Sequence, residues 1–292
     1  MSGESRSGAG LRSRYRKAKS NAMVVLCALA LAIAVVPLGA ILFMVTAKGL
    51  SSISWTFLTQ LPNPPMQGGG GVRNAIVGTA VVVLISTVIS VPIGVGAGVF
   101  LSEYGGSPAT RGIRFLTEVL SGLPSIIAGV VVYGIIVVEM GDVSALAGGV
   151  ALSLLSIPWV TVATEDALNL VPQSYRDASL ALGVDRTTTI LSVVLPSAVG
   201  GIVTGTMLAV ARVAGETAPL LWTVGNSKFG FSGILHDTAT LSVDIYLYAT
   251  SPYEDWHNQA WGAALLLVFF ILLTNVVTRT LWSRRQRSMR GE

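Results

Sequence analysis

Six apolar segments alternate with polar stretches along the chain, running from Met23 to Thr46, Asn74 to about Leu101, Ile113 to Val138, Ala145 to Val162, Thr187 to about Trp222 and Trp261 to Leu281. Each approaches or exceeds the ~20 helical residues that cross a hydrocarbon core about 30 Å thick. A backbone in lipid must satisfy its own hydrogen bonds, so the pattern predicts an all-α, polytopic membrane protein with six transmembrane helices. Pro92, Pro124, Pro158 and Pro196 fall inside four consecutive segments. They free carbonyls that neighbouring helices must satisfy, which suits a bundle that bends or lines a passage. Gly94 and Gly98 stand four apart, a spacing that lets a second helix approach closely.

The polar stretches divide the rest. Residues 1–21 are rich in Ser, Gly and Arg and read as a disordered basic tail; residues 284–292 form a second basic tail, and 22–283 the transmembrane domain. Loops are expected at about 47–73, 165–189 and 223–258, with Ser242–Ala249 as a short amphipathic piece in the membrane interface. Within the middle loop, Tyr175, Ala178 and Leu182 recur at helical spacing and Gly183 follows as a C-terminal stop. Asp185 can then cap the next helix.

Composition agrees with the pattern: 52% of residues are hydrophobic and 12% charged, with mean hydropathy +0.68, far from the quarter-charged average of soluble domains. The net charge of +4 does not point to nucleic acid, because the basic residues crowd the ends of apolar segments instead of alternating with aromatics. Of 19 lysines and arginines, fifteen fall in the two termini and the second and fourth loops, and three, Lys48, Arg73 and Lys228, on the opposite side. The positive-inside bias therefore puts both termini and the Asp177 loop in the cytoplasm. Cys27, the single cysteine, excludes a disulfide framework and reads as a small packed apolar residue.

Asp177-Ala178-Ser179, Gly183 and Val193-Val194-Leu195-Pro196 resemble, at unchanged spacing, the EAA loop of ABC-importer permeases, E-A-A-x3-G-x9-I-x-L-P. Asp, Ser and Val stand where that motif has Glu, Ala and Ile. Arg212-Val213-Ala214-Gly215-Glu216-Thr217-Ala218-Pro219-Leu220-Leu221 is similar to the corresponding segment of phosphate-importer permeases of the PstA type. Gly70 to Thr79 and Leu123 to Gly129 agree with the same subfamily, and the first 60 residues carry no matching motif. The resemblance implies the type I ABC-importer, or MetI-like, permease fold. It further implies a non-catalytic bacterial inner-membrane subunit that forms the pathway for inorganic phosphate with a second, PstC-like permease. A PstB-like ATPase dimer would engage a coupling loop comprising Tyr175, Asp177, Ala178, Ser179, Leu182, Gly183, Asp185 and Pro196. A PstS-like external binding protein would deliver the substrate. Gly68–Gly71 lacks the Gly-Lys-Ser/Thr ending of a phosphate-cradling loop, so no cofactor is assigned to this chain, and ATP and magnesium are expected on the ATPase.

Arg212 and Glu216 are the sharpest candidates for chemistry, four apart on what reads as one helix face inside the membrane. Each charge costs roughly 2.5 to 3.5 kcal/mol at mid-membrane. Two readings stand: a self-neutralising structural pair, or a substrate pathway in which Arg212, with Glu216 and Thr217, offers a guanidinium to an oxyanion. His236 and His257, 21 residues apart in a wet loop, do not suggest a metal site, and adjacent Glu165 and Asp166 read as interfacial charge. Nothing resembles a catalytic constellation. The rival readings are a permease for another oxyanion, molybdate or sulfate, and an ATP-independent channel or ion-coupled carrier.

Overall fold

The computed structural model describes residues 5–290, with side chains described from Arg16 to Val276. Among the described residues there are only helices and connecting turns. Five helices are long and apolar enough to span a membrane: α1 (Ser5–Gly49), α3 (Arg73–Glu103), α7 (Ala145–Asn169), the Arg186–Val213 stretch and α13 (Glu254–Arg290). The short α2 (Trp55–Thr59) lies between the first two.

The expected third span is bent by 105° into α4 (Pro108–Ser121) and a run of α5 (Ser125–Val132), a π-turn at Tyr133–Val137 and α6 (Val138–Met140). Gly122 ends α4 and Pro124, with extended-type ψ of 131°, starts α5; proline cannot donate to the preceding turn, so the helix breaks there. The fourth span runs seven residues beyond its expected end at Val162, because Pro158 is absorbed inside α7.

Helix α7 is the centre of the bundle. It packs most extensively on α3, then on the fifth span, and α4 and α5 also lean on it. Val82, Leu152, Leu155, Val213, Leu220 and Val224 knit these elements into one core, and Ala167, Leu168, Val194, Ala198 and Ile202 form a second near the α7 C-terminus. The small residues expected to permit close approach do so: a Cβ on Gly94 would lie 2.7 Å from Val160 Cβ, and one on Gly98 2.6 Å from Thr164 Cβ.

Helix α8 (Gln173–Ala181) precedes the fifth span, which is built from α9 (Arg186–Thr189), a π-turn at Ile190–Val194 and α10 (Leu195–Val213), with α11 (Leu220–Thr223) past an irregular turn. The expected continuous helix to Trp222 is thus corrected: it stops at Val213, where Gly215 and Pro219 supply a flexible residue and a missing donor. The expected short amphipathic piece is α12 (Leu241–Ala249), and it is packed into the bundle. Leu241, Ser242, Val243, Asp244 and Tyr248 are buried, with α12 packed on α3 and α13.

Cys27, expected to be packed, is exposed on α1. Arg16 to Asn21, expected in a disordered tail, continue α1 as exposed helix. The remainder of both basic tails lies outside the residues whose side chains are described.

Candidate functional site

Two constellations stand at different levels of the bundle. At the end where α3 and α7 terminate, Pro172 begins α8 and Gly183 ends its turn at φ +82°, a left-handed conformation that glycine adopts without strain. Asp185 caps α9 by accepting from the Thr188 amide at 3.0 Å, and bonds from Thr188 hold its carboxyl below the usual range. Ser179 is buried against Thr189, their hydroxyls 2.9 Å apart. Tyr175, Ala178 and Leu182 are exposed, Leu182 at 85% of its surface, so the apolar face inferred from spacing points away from this chain. Tyr175 and Pro196 line one groove of about 300 Å³ between the end of α7 and the start of α10. Asp177 meets only Gln173, its Oδ1 accepting from Nε2 at 3.2 Å.

Arg176 was missed by the sequence reading, which counted it only as a basic loop residue. Its Nη2 and Nε donate to Glu103 Oε1 at 2.7 and 3.1 Å, while Nη1 reaches the Val171 carbonyl at 2.9 Å and Nη2 the Leu168 carbonyl at 3.1 Å. Both side chains are largely buried, 13% and 6% exposed. Arg186 Nη2 donates to the Glu103 carbonyl, and its guanidinium lies over the Tyr104 ring at 4.9 Å. No signal short of pairing Glu103 with position 176 across 73 residues could have found this joint.

The second constellation forms where α10 stops and the α4–α5 bend comes nearest. Arg212, Glu216, Trp159, Ser121, Ser125, Leu120, Leu123, Leu155 and Val213 line a cavity of about 150 Å³. The expected i, i+4 ion pair is absent: Arg212 lies in the last turn of α10, Glu216 in the irregular turn beyond it, and no salt bridge joins them. The Arg212 guanidinium instead stacks on Trp159, 4.5 Å from the ring centroid. The turn is held from elsewhere, since the Glu216 carbonyl accepts from Ser242 Oγ at 2.9 Å and the Thr217 carbonyl from the Leu220 and Leu221 amides at 3.1 Å. Thr217 is not among the cavity-lining residues. The cavity can therefore present one cation, one carboxylate and two hydroxyls to a small polar solute, and Arg212 is exposed at its rim.

The remaining candidates have other partners. Glu165 pairs with Arg114 at 2.6 Å, tying α4 to α7. His257 Nε2 lies 2.7 Å from the Ser251 carbonyl, and among the described residues no group of three or more His, Cys, Asp or Glu could hold a metal. In the stretch after α11, Asp244 is fully buried with no hydrogen bond to either carboxylate oxygen, and burial raises its pKa to about 7. Lys228 lies over the Tyr248 and Trp256 rings at 4.7 and 4.5 Å, and desolvation lowers its pKa.

The chain is thus a helical bundle with an exposed short helix at one end and a charged cavity within it. The chain belongs to the family described as binding-protein-dependent transport system inner membrane components, whose pattern matches residues 90–290. It is 38% identical to the phosphate transport system permease protein PstA of Yersinia pestis over 276 residues, 94% of each chain. It is 39% identical to the protein of the same name from Haemophilus influenzae over 277 residues, 94% of this chain and 98% of that one. Among solved structures, the inward-facing MetNI methionine ABC transporter matches with TM-score 0.59 at 20% identity, covering 73% of this chain and 94% of that one, which shows the shared permease fold.

Proposed function

We propose that the chain is a membrane subunit of an ATP-driven importer of inorganic phosphate. The observation that carries this reading is its 38% identity, along 94% of its length, to a permease named for phosphate transport. The site chemistry supports it. A guanidinium with no carboxylate in ion-pair range among the described residues can bond an oxyanion, and its planar fork matches phosphate geometry. In this reading a second permease chain closes the open side of the Arg212 cavity, and an external binding protein delivers the solute. An ATPase dimer holding ATP and magnesium engages the cytoplasmic loops of the two permease chains, here through the exposed Tyr175, Ala178 and Leu182 face at α8, with both termini cytoplasmic.

The decisive measurement is uptake by the importer reconstituted with its partner chains. Arg212→Gln is expected to cut phosphate uptake at least about tenfold, equivalent to ~1.4 kcal/mol, while the ATPase chains still co-purify. Unlabelled phosphate, but not molybdate or sulfate, is expected to compete with labelled phosphate in the native importer. Native uptake by Arg212→Gln would remove Arg212 from the pathway. Competition by molybdate or sulfate at equal concentration would reassign the cargo, and purification without any ATPase chain would favour an ATP-independent carrier.

A further inference from the structure

We propose that Arg176 is a positioning residue that locks the coupling helix α8 to the C-terminal ends of α3 and α7. A displacement applied to α8 then enters the bundle as rigid-body motion of that helix pair. The proposal rests on the reading of α8 as the ATPase-docking element and names the residue through which docking acts.

The last carbonyls of a helix have no intrahelical donor, and the negative end of its dipole favours a cation. The Arg176 guanidinium answers both at once, bonding the Leu168 and Val171 carbonyls at the α7 terminus while its fork grips the Glu103 carboxylate in the last turn of α3. A single side chain from α8 is thus fastened to two spans. Arg186 adds a second hold on the Glu103 carbonyl from α9, and the Ser179–Thr189 hydroxyl contact ties α8 to α9.

What lies beyond each end of this joint makes it mechanical. The spans it grips are already one body, because Gly94 and Gly98 bring α3 so close to Val160 and Thr164 of α7 that an added methyl would overlap them. The route to α10 instead passes through the π-turn Ile190–Val194, whose hydrogen-bond register differs from that of the helix on either side. Across that turn α10, the helix that carries Arg212, is itself packed on α7: a Cβ on Gly201 would lie 2.7 Å from Ala167 Cβ and one on Gly205 2.4 Å from Ala163 Cβ, so the body that Arg176 grips continues through α7 into α10.

The test uses the full importer with its partner chains in lipid nanodiscs, in a Cys27→Ser background. Arg176→Lys keeps the charge, so no carboxylate is stranded, but a point cation cannot reproduce the fork. Native complexes labelled at Gly105→Cys and Ala181→Cys are expected to give one narrow spin-label distance that is the same without nucleotide and in the ATP-trapped state. In Arg176→Lys the distribution is expected to broaden and to differ between the two states, and the ATP hydrolysed per phosphate imported to rise about tenfold or more, as for other angstrom-scale misplacements. A native distance that changes between states overturns the rigid joint, as does an Arg176→Lys importer with native distance and native ATP cost. If that variant loses its ATPase chains, the native label pair alone decides. A cysteine at Leu182 separately tests the underlying reading: failure to cross-link to the ATPase would remove α8 as the docking element, without altering what the distances say about the joint.

Discussion

Asp244 is sealed from water with no donor on either oxygen, and its countercharge among the described residues, Lys228, sits beyond ion-pair range on the neighbouring loop. Its carboxyl titrates near 7 in the folded chain, above the ordinary carboxylate value of 3.8, so between those limits the folded state binds a proton that the unfolded state has released. Stability attributable to this group is therefore full below about pH 4 and is lost as pH rises through about 7, a difference on the order of 2 to 4 kcal/mol. Asp244→Asn is expected to raise the melting temperature of the purified chain at pH 8, to leave it unchanged near pH 4, and so to flatten the profile between. An undiminished fall from pH 5 to pH 8 in that variant would assign the dependence to another group. Nothing in the sequence distinguishes Asp244 from the other acids of its polar stretch, because its burial comes from the packing of α12 on α13 and on α3, and α3 lies far away in the chain. Gly183 is the opposite case. A glycine placed directly after a helical apolar spacing is a local signal for a left-handed turn, and its φ of +82° is what that signal specifies.

Elements were legible where hydropathy and local chemistry agree. The five unbroken spans follow from apolar length alone, and the close approach of α3 and α7 from the four-residue spacing of Gly94 and Gly98. Gly98→Leu is expected to destabilise the bundle by about 1 to 3 kcal/mol, since the new side chain must displace Thr164 and the Thr161 carbonyl. Gly96→Leu, with nothing within 4 Å of its Cβ position, is the matched control. Equal melting temperatures for the two variants would show that the interface yields. The elements that were misread are those where apolar length hid a local break. Gly122 with Pro124, and Gly215 with Pro219, each pair a permissive residue with a missing donor, and at both places the chain leaves the helix. The consequence for the site is direct: Arg212 and Glu216 share a cavity wall instead of a helix face.

At the scale of the whole molecule, the sidedness of the bundle follows from where basic residues lie, and it can be measured with an impermeant thiol reagent on intact cells. With Cys27→Ser, a cysteine at exposed Ala181 is expected to stay unlabelled and one at exposed Ser232 to react; the reverse pattern would invert the topology. Helix α1 meets the rest of the bundle chiefly at α13. Its most apolar 18-residue window has the highest mean hydropathy of the spans, 2.8, and none of that window is buried by the chain, whereas that of α7 has mean hydropathy 1.8 and is 67% buried. During synthesis the two must therefore enter the bilayer by different routes. The first span is apolar enough to leave the translocation machinery alone as soon as it emerges. Helix α7 carries Ser153, Ser156, Thr161 and Thr164 on faces that lipid would penalise, and it is expected to enter the bilayer paired with α3, which emerges before it and packs on it. The order of insertion is thereby written into which spans keep their polar side chains to themselves.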